Sequence, residues 1–136
     1  MIKLYVSPSC TSCRKAKSWL EEQGLEYEEQ NIFHEPLTKN EIKEILMLTD
    51  EGTEEIISYR SQAFQALDIE IDTLSMAELL DLLIEEPSLI RRPIIMDDRR
   101  LQIGYNEEEI RMFLPRKIRQ VELAEIHDKL AQVESA

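Results

Sequence analysis

Apolar and polar residues follow one another in the N-terminal part of the chain in a pattern that predicts a strand, a helix and a second strand. Residues 2–6, with the sequence IKLYV, are rich in β-branched and aromatic side chains and predict a strand. Helical spacing of apolar residues begins at about Thr11 and ends at about Gly24. Residues 25–32 predict a second, weaker strand. A strand, a helix and a strand within roughly 30 residues are typical of a βαβ unit.

The middle of the chain, at about residues 36–87, is predicted to be mainly helical. Thr38 and Ser75 each precede a glutamate by three residues, which is the capping-box pattern that opens a helix. We expect Gly52 to supply a positive φ at the end of the helix that Thr38 opens. One or two short helices are expected to follow in residues 54–68.

The last third of the chain predicts a β-hairpin followed by helices. Two short apolar segments, PIIM and RLQI, are joined through an Asp-Asp pair and have the pattern of a hairpin. Asn106 is expected to cap a further helix, which Pro115 interrupts. Residues 118–133 have an amphipathic helical pattern, and the tail from about residue 131 is expected to be frayed.

Composition and charge restrict the function. The chain of 136 residues is 43% hydrophobic and contains 3 Gly and 5 Pro, which fits a compact globular protein. It has no signal-peptide pattern, and no apolar run approaches the roughly 20 residues of a membrane helix, so we expect a cytoplasmic protein without membrane association. The formal net charge of -12 argues against an autonomous DNA binder, because non-specific DNA affinity depends on Lys and Arg.

The only two cysteines, Cys10 and Cys13, form a C-T-S-C motif at the start of the first predicted helix. The helix dipole and the free backbone N–H groups stabilise a thiolate at the first cysteine and lower its pKa from about 8.5. Arg14 and Lys15 add positive charge nearby. Because the second cysteine stands one turn further on, a disulfide is within reach. We therefore expect Cys10 to be the attacking, more exposed thiol and Cys13 the resolving one.

Two other interpretations of the cysteines stay open. A structural zinc site needs four ligands, and only His34 and His127 remain to complete one. An inert buried pair is the second alternative. A C-x-x-C motif after a strand of a βαβ unit favours redox chemistry, and on that interpretation we expect no metal and no cofactor.

The order of the elements predicts an α/β fold of the thioredoxin-like type. A βαβ unit with CxxC after its first strand is completed by a ββα unit, with residues 36–87 as a helical insertion in one domain of residues 1–136. In such folds a proline, usually cis, precedes the third strand, and Pro93 occupies that position. Arg92 would then lie beside Cys10, where its fixed charge could hold a thiolate or an anion. An ordinary trans proline with an exposed arginine is the alternative.

Several long segments resemble the redox-responsive transcriptional regulators of the ArsC/Spx family, over about residues 1–119. These segments are SPSCTSCRKAKSWLEE, NIFHEPLTKNEIKEIL, EGTEEIIS and RRPIIMDDRRLQIGYNEEEIRMFLPRK. The resemblance implies the ArsC-type thioredoxin-like fold and a protein that is not an enzyme. It also implies binding to the C-terminal domain of the RNA polymerase α subunit, contact with promoter DNA only within the polymerase complex, and removal by the ClpXP protease system.

The resemblance also implies roles for particular residues. A disulfide between Cys10 and Cys13 would be the switch that controls thiol and oxidative stress genes, with Ser7, Arg92 and Pro93 as its neighbours. The surface that binds the α subunit would be formed by Gly52, Lys43, Thr49 and Arg60. Two positions depart from the family pattern, because Met47 and Gln62 stand where basic residues are common, which puts direct DNA contact through this region in doubt.

An arsenate reductase and a general thiol oxidoreductase are the alternatives from the class of enzymes. Reductases of the family build an anion pocket from three arginines, of which Arg60 and Arg92 match two, whereas Gly104 stands in the place of the third. They also lack a second cysteine at the position of Cys13. A general oxidoreductase is disfavoured by the Thr-Ser spacer between the cysteines and has no use for the acidic helical insertion.

Overall fold

A computed structural model describes residues 1–115 and 124–130, and in it four strands form one mixed sheet. The order across the sheet is β2-β1-β3-β4. Strands β1 and β2 are parallel, and β3 is antiparallel to both β1 and β4. The parallel pair and the hairpin are those that the sequence predicts. The strands are β1 (Ile2–Val6), β2 (Tyr27–Asn31), β3 (Ile94–Met96) and β4 (Leu101–Ile103).

The structure names five α-helices, four of them between β2 and β3, as the predicted helical insertion requires, and the described residues 124–130 form a further helical segment. Three short 3₁₀ turns, Ile71–Thr73, Pro87–Leu89 and Glu109–Phe113, complete the named elements. The helices are α1 (Thr11–Glu22), α2 (Lys39–Met47), α3 (Thr53–Ile56), α4 (Gln62–Gln65) and α5 (Met76–Glu85).

Both predicted capping boxes are present. The Thr38 hydroxyl accepts a hydrogen bond from the Glu41 N–H at 3.1 Å, and the Glu41 carboxylate accepts one from the Thr38 N–H at 3.0 Å. Ser75 and Glu78 make the same reciprocal pair at 3.2 Å each. These bonds satisfy backbone donors that have no partner within the helix, so the sequence itself determines where α2 and α5 begin.

The sheet has a buried cluster of side chains on each face. Because side chains alternate along a strand, Leu4 and Tyr5 of β1 enter opposite clusters. The cluster with Leu4 packs against α1 and the turn at Glu109–Phe113, and the cluster with Tyr5 packs against α2, α3 and α5. The sheet therefore separates α1, which carries the cysteines, from the helical insertion.

Two expectations for elements are corrected. The helix that Asn106 caps is a 3₁₀ turn, although the Asn106 Oδ1 does accept from two backbone N–H groups at 2.9 Å. Pro115 disfavours α conformation in the residue before it, so only a short segment is available, and the spacing of Ile110 and Phe113 fits the three-residue repeat of a 3₁₀ turn. Helix α2 ends at Leu48 with negative φ, so Gly52, at φ 78°, precedes α3 instead of ending α2.

The amphipathic tail is described in part. Residues 124–130 are helical, as the pattern predicts, and Ile126 and Leu130 on this helix are exposed. The rest of the predicted 118–133 helix and the tail expected to fray from 131 lie outside the described residues. None of the described helices combines the length and apolar character needed to span a bilayer.

Candidate functional site

The two cysteines lie where β1 passes into α1. The chain leaves β1 at Val6, turns through Ser7, Pro8 and Ser9, and enters α1 with Cys10 as its N-cap residue. Ser9 has a φ of 58°, which is uncommon for a residue other than glycine. This left-handed residue reverses the chain sharply enough to bring the start of α1 to the carboxyl end of β1.

Cys10 and Cys13 are joined by a disulfide, with their Cα atoms 5.2 Å apart. The Cys13 N–H donates to the Cys10 Sγ at 3.2 Å, so the first sulfur also caps the helix. Cys13 is buried, with 4% of its surface exposed, against the apolar cluster beneath α1, whereas Cys10 is half-buried. Cys10 is thus the more exposed sulfur, in the order that the sequence predicts.

The surroundings of Cys10 favour negative charge on its sulfur. Helix α1 has 12 residues, and its first turn contains no acidic side chain, so the positive end of the helix dipole is not compensated there. Arg14 and Lys17 line a groove of about 310 Å³ that also reaches both cysteines. Lys17 is paired with Glu29 at 3.1 Å, which leaves the exposed Arg14 as the freer cation. A thiolate formed at Cys10 on reduction is therefore stabilised by the helix and by Arg14.

The peptide bond between Arg92 and Pro93 is cis, as the sequence predicts. The antiparallel register pairs Tyr5 with Ile94, so continuation of the pairing brings Pro93 and Arg92 toward the end of β1 that leads into Ser7. Ser7 is buried at this point. The three residues predicted to neighbour the switch therefore lie along the same edge of the sheet as the disulfide, although a direct contact between Arg92 and Cys10 remains a prediction.

Arg92 has an unusual environment that the sequence did not reveal. Its guanidinium lies over the ring of Phe33, 5.0 Å from the ring centroid, and burial lowers the pKa of Arg92. Its Nε and Nη1 atoms are buried without a hydrogen bond to any described residue. No local pattern pairs Phe33 with an arginine 59 positions later, so only the fold identifies this contact. The arrangement leaves two buried donors of a fixed cation without a partner among the described residues.

The residues predicted to bind the α subunit fall into two neighbouring groups. Thr49 and Gly52 are joined directly, because the Gly52 N–H donates to the Thr49 Oγ1 at 3.1 Å. The Thr49 hydroxyl in turn donates to the Leu46 carbonyl at 2.6 Å, which ties the loop to the end of α2. Lys43 is exposed one turn earlier on the same helix. Hydrogen bonds thus tie Thr49 and Gly52 to the end of the helix that carries Lys43.

Arg60 lies in the second group, beyond α3. It lines a groove of about 350 Å³ together with Glu54, Tyr59 and Arg91. The Arg91 guanidinium donates to the Glu55 carbonyl at 3.3 Å, and its other terminal nitrogen lies 3.9 Å from the point where a Cβ on Gly104 would stand. Gly104, which the resemblance aligns with the third arginine of the reductases, is therefore next to Arg91 in space, on a backbone with φ 83° that disfavours a side chain.

Metal ligation finds little support in the part of the chain that the structure describes. Among residues 1–115 and 124–130, no three His, Cys, Asp or Glu side chains lie together in a way that could hold an ion. The two sulfurs are joined to each other, so the described geometry is that of a disulfide between neighbouring cysteines.

Comparison with known sequences identifies one protein family and relatives that share more than half of their residues with this chain. The model of the ArsC family matches residues 5–113. A global transcriptional regulator Spx of Listeria innocua is 58% identical over 125 residues, covering 92% of this chain and 95% of the relative. A regulator of the same name from Lactiplantibacillus plantarum is 59% identical over 123 residues, covering 90% of this chain and 93% of the relative.

Comparison with solved structures confirms the fold. A Staphylococcus aureus protein with a solution NMR structure is 32% identical, with a TM-score of 0.70 over 82% of this chain and 97% of that one. A crystal structure described as a possible arsenate reductase from Streptococcus mutans is 27% identical, with a TM-score of 0.70 over 81% of this chain and 97% of that one. A similar architecture thus occurs in a protein described as a possible arsenate reductase, whereas the sequence relatives carry the name of a regulator.

Proposed function

The chain belongs to the ArsC family, among its Spx-type members, and we propose that it is a redox-responsive global transcriptional regulator that binds the C-terminal domain of the RNA polymerase α subunit. The observation that carries the proposal is the identity of 58–59% with regulators of that name over at least nine-tenths of the chain. The Cys10–Cys13 disulfide at the start of α1 supports the redox part.

The charge of the protein suits a regulator that acts through another protein. At a net charge of -12 the chain is repelled by nucleic acid, so contact with promoter DNA would occur only within the polymerase complex, where the polymerase supplies most phosphate contacts. The protein would act in the cytoplasm, and its amount would be limited by the ClpXP protease system. If the half-life of the protein in cells lengthened on loss of ClpX, that result would support degradation by ClpXP.

The switch would operate by ordinary thiol chemistry. A hydroperoxide oxidises the Cys10 thiolate to a sulfenic acid and is itself reduced to an alcohol or water. The Cys13 thiolate then attacks the Cys10 sulfur, the S–S bond forms, and the hydroxyl group leaves as hydroxide and takes up a proton to become water. The exposure of Cys10 and the burial of Cys13 suit these two roles, because the oxidant must reach the first sulfur only.

The disulfide would be coupled to partner binding through the elements that begin at the same edge of the sheet. It fixes the first turn of α1 against the loop after β1 that contains Ser7, and the register of β3 on β1 brings Pro93 and Arg92 toward that loop. A tenfold difference in affinity between the oxidised and reduced forms needs a preference of only about 1.4 kcal/mol. A small rearrangement of the Arg92 guanidinium and the neighbouring loops would be sufficient for that.

An arsenate reductase is the second candidate, and the Streptococcus mutans structure described as a possible reductase favours it. Gly104 opposes it, because one of three cations around a divalent oxyanion is missing. Hydrogen bonds to charged groups contribute about 1.5–3 kcal/mol each, so this loss would weaken anion binding severely. Turnover of arsenate with a thiol reductant would reverse the ranking of the two candidates.

The experiment that tests the proposal is a titration of the full chain with the isolated α C-terminal domain, with and without reductant. We expect binding that weakens when the disulfide is reduced. Binding that is indifferent to reductant would keep the polymerase partner but remove the cysteines from the binding step. Absence of binding in both states would overturn the proposal, and arsenate turnover would be measured next.

Cys10→Ala tests the switch in cells. We expect this variant to lose the activation of thiol-stress genes that diamide produces in the wild type, because no disulfide can form. Ser12→Ala is the matched control, since it changes a side chain between the two cysteines and leaves both sulfurs in place. Equal activation by Cys10→Ala and the wild type would contradict the mechanism.

A further inference from the structure

A groove of about 360 Å³ opens at the end of the sheet opposite the disulfide. Its walls come from the start of β1, the C-terminal half of α2 and the turn between β3 and β4. Three of the five methionines of the chain meet there with several charged side chains. We call it the methionine groove, and its residues are Met1, Lys3, Glu44, Met47, Leu48, Met96, Asp97 and Asp98.

The apolar part of the groove is exposed in a way that core packing does not explain. Met47 is 84% exposed and Met1 is 68% exposed, whereas Met96, at 5%, forms the floor. Helix α2 already buries Ile42 and Ile45 against the core, so Met47 stands on its outer side. Flexible thioether side chains of this kind adapt to the alkyl portion of an incoming side chain.

The charged part of the groove is acidic, and one carboxylate in it is free. Glu44 is paired with Lys3 at 3.4 Å. Asp97 is engaged with Arg100 at 3.4 Å and accepts two backbone N–H bonds of the turn. Asp98 is exposed and has no hydrogen-bond or ion-pair partner among the described residues. The groove therefore presents one unpaired negative charge beside its methionines.

The end of α2 adds to this negative potential. Its last turn contains no basic side chain, so the negative end of the helix dipole at Met47 and Leu48 is not compensated within the helix. A long basic side chain matches both parts of the groove, because its alkyl stem packs on apolar surface while its charged head stays near water and a carboxylate.

We propose that the methionine groove binds an arginine or lysine of the protein that docks on the Thr49–Gly52 surface. The stem of that residue lies along Met47 and Met96, and its cationic head pairs with Asp98. The groove adjoins the Thr49–Gly52 surface, because Leu48 in its wall directly precedes Thr49. This inference rests on the proposed function, since it extends the surface around Thr49 and Gly52 that is predicted to bind the polymerase α subunit.

The test uses the full oxidised chain and the purified α C-terminal domain, with affinity measured at two salt concentrations. Asp98→Asn removes the free charge, and we expect about fivefold weaker binding and a smaller salt dependence. Glu26→Gln is its control, because it neutralises an exposed carboxylate before β2. Met47→Ser removes the apolar wall, with about threefold weaker binding expected. Met76→Ser, at another exposed methionine, is its control.

The outcomes separate the groove from the proposed function. Weaker binding by Asp98→Asn and Met47→Ser, with wild-type affinity in both controls, supports the proposal. Wild-type affinity in all four variants, together with loss of binding in Gly52→Arg, overturns the groove and leaves the polymerase partner in place. Absence of binding by the wild type overturns the proposed function, and the inference that rests on it falls as well. Equal weakening in variants and controls would show a general effect of net charge and would also overturn the groove.

Discussion

Gly52 joins a backbone constraint and a proposed binding role at one position, so its substitution has two effects that must be separated. Its φ of 78° and ψ of -136° belong to a region that residues with a side chain rarely adopt. No heavy atom lies within 4 Å of the point where a Cβ would stand, so an added side chain meets backbone strain but no clash. Alanine and arginine at this position should therefore destabilise the fold by similar amounts.

The magnitude follows from the backbone conformation. Strain in such a region costs on the order of 1–3 kcal/mol. For a chain of this size, each 1 kcal/mol lowers the melting temperature by about 3–4 °C. We expect Gly52→Ala and Gly52→Arg to melt about 3–12 °C below the wild type, by an amount that agrees between the two variants.

Binding to the α C-terminal domain, measured well below the melting transition, should then distinguish the two variants. Gly52→Ala adds one methyl group and should keep most of the affinity, whereas Gly52→Arg adds a long cation at the proposed surface and should abolish binding. Gly24→Arg is the matched control, because Gly24 also has positive φ with open space around it but lies at the end of α1. It should lose stability and retain binding.

Two results would refute this reasoning at different steps. If Gly52→Ala melted at the temperature of the wild type, the strain argument would be wrong. If Gly52→Arg bound the α domain as well as Gly52→Ala does, the interface would lie elsewhere on the molecule. Chemical denaturation of the oxidised proteins, with disulfide content checked by thiol titration, measures the stability of the fold independently of its affinity for the α domain.

Three further predictions concern the fold. Thr38→Ala should lower the free energy of unfolding in urea by about 1 kcal/mol, because it removes the capping box of α2. An unchanged urea midpoint would show that the capping box does not stabilise the fold. Leu20→Ala should cost about 2–5 kcal/mol, because the side chain is fully buried beneath α1, whereas a cost below 1 kcal/mol would contradict tight packing there. Burial and the 2.8 Å hydrogen bond to Glu21 raise the pKa of Tyr27 to about 12, whereas an unfolded tyrosine ionises near 10. Because the unfolded chain loses this proton first, stability should fall as pH rises from about 10 to 12, and Tyr27→Phe should reduce that fall.

The elements that could be predicted are those whose causes lie within a few residues. The capping boxes at Thr38 and Ser75 act through bonds that span three positions, and both helices begin where the sequence places them. The strand IKLYV, the parallel return after α1 and the position of Cys10 at a helix start likewise depend on local pattern. In each case the residues that determine the element lie close together in the sequence, so the element can be predicted without knowing how distant parts of the chain fold.

The features that could not be predicted depend on the path of the whole chain. The stacking of Phe33 on Arg92 and the meeting of Met1, Met47 and Met96 in one groove join residues that are 46 or more positions apart. The difference between an α-helix and a 3₁₀ turn after Asn106 was decided by the short segment left before Pro115. The sequence alone determined the local elements and the position of the cysteine pair at the start of α1. Tertiary structure decided which residues surround that pair and which charges stay unpaired, because packing across the sheet, and not sequence spacing, sets those distances.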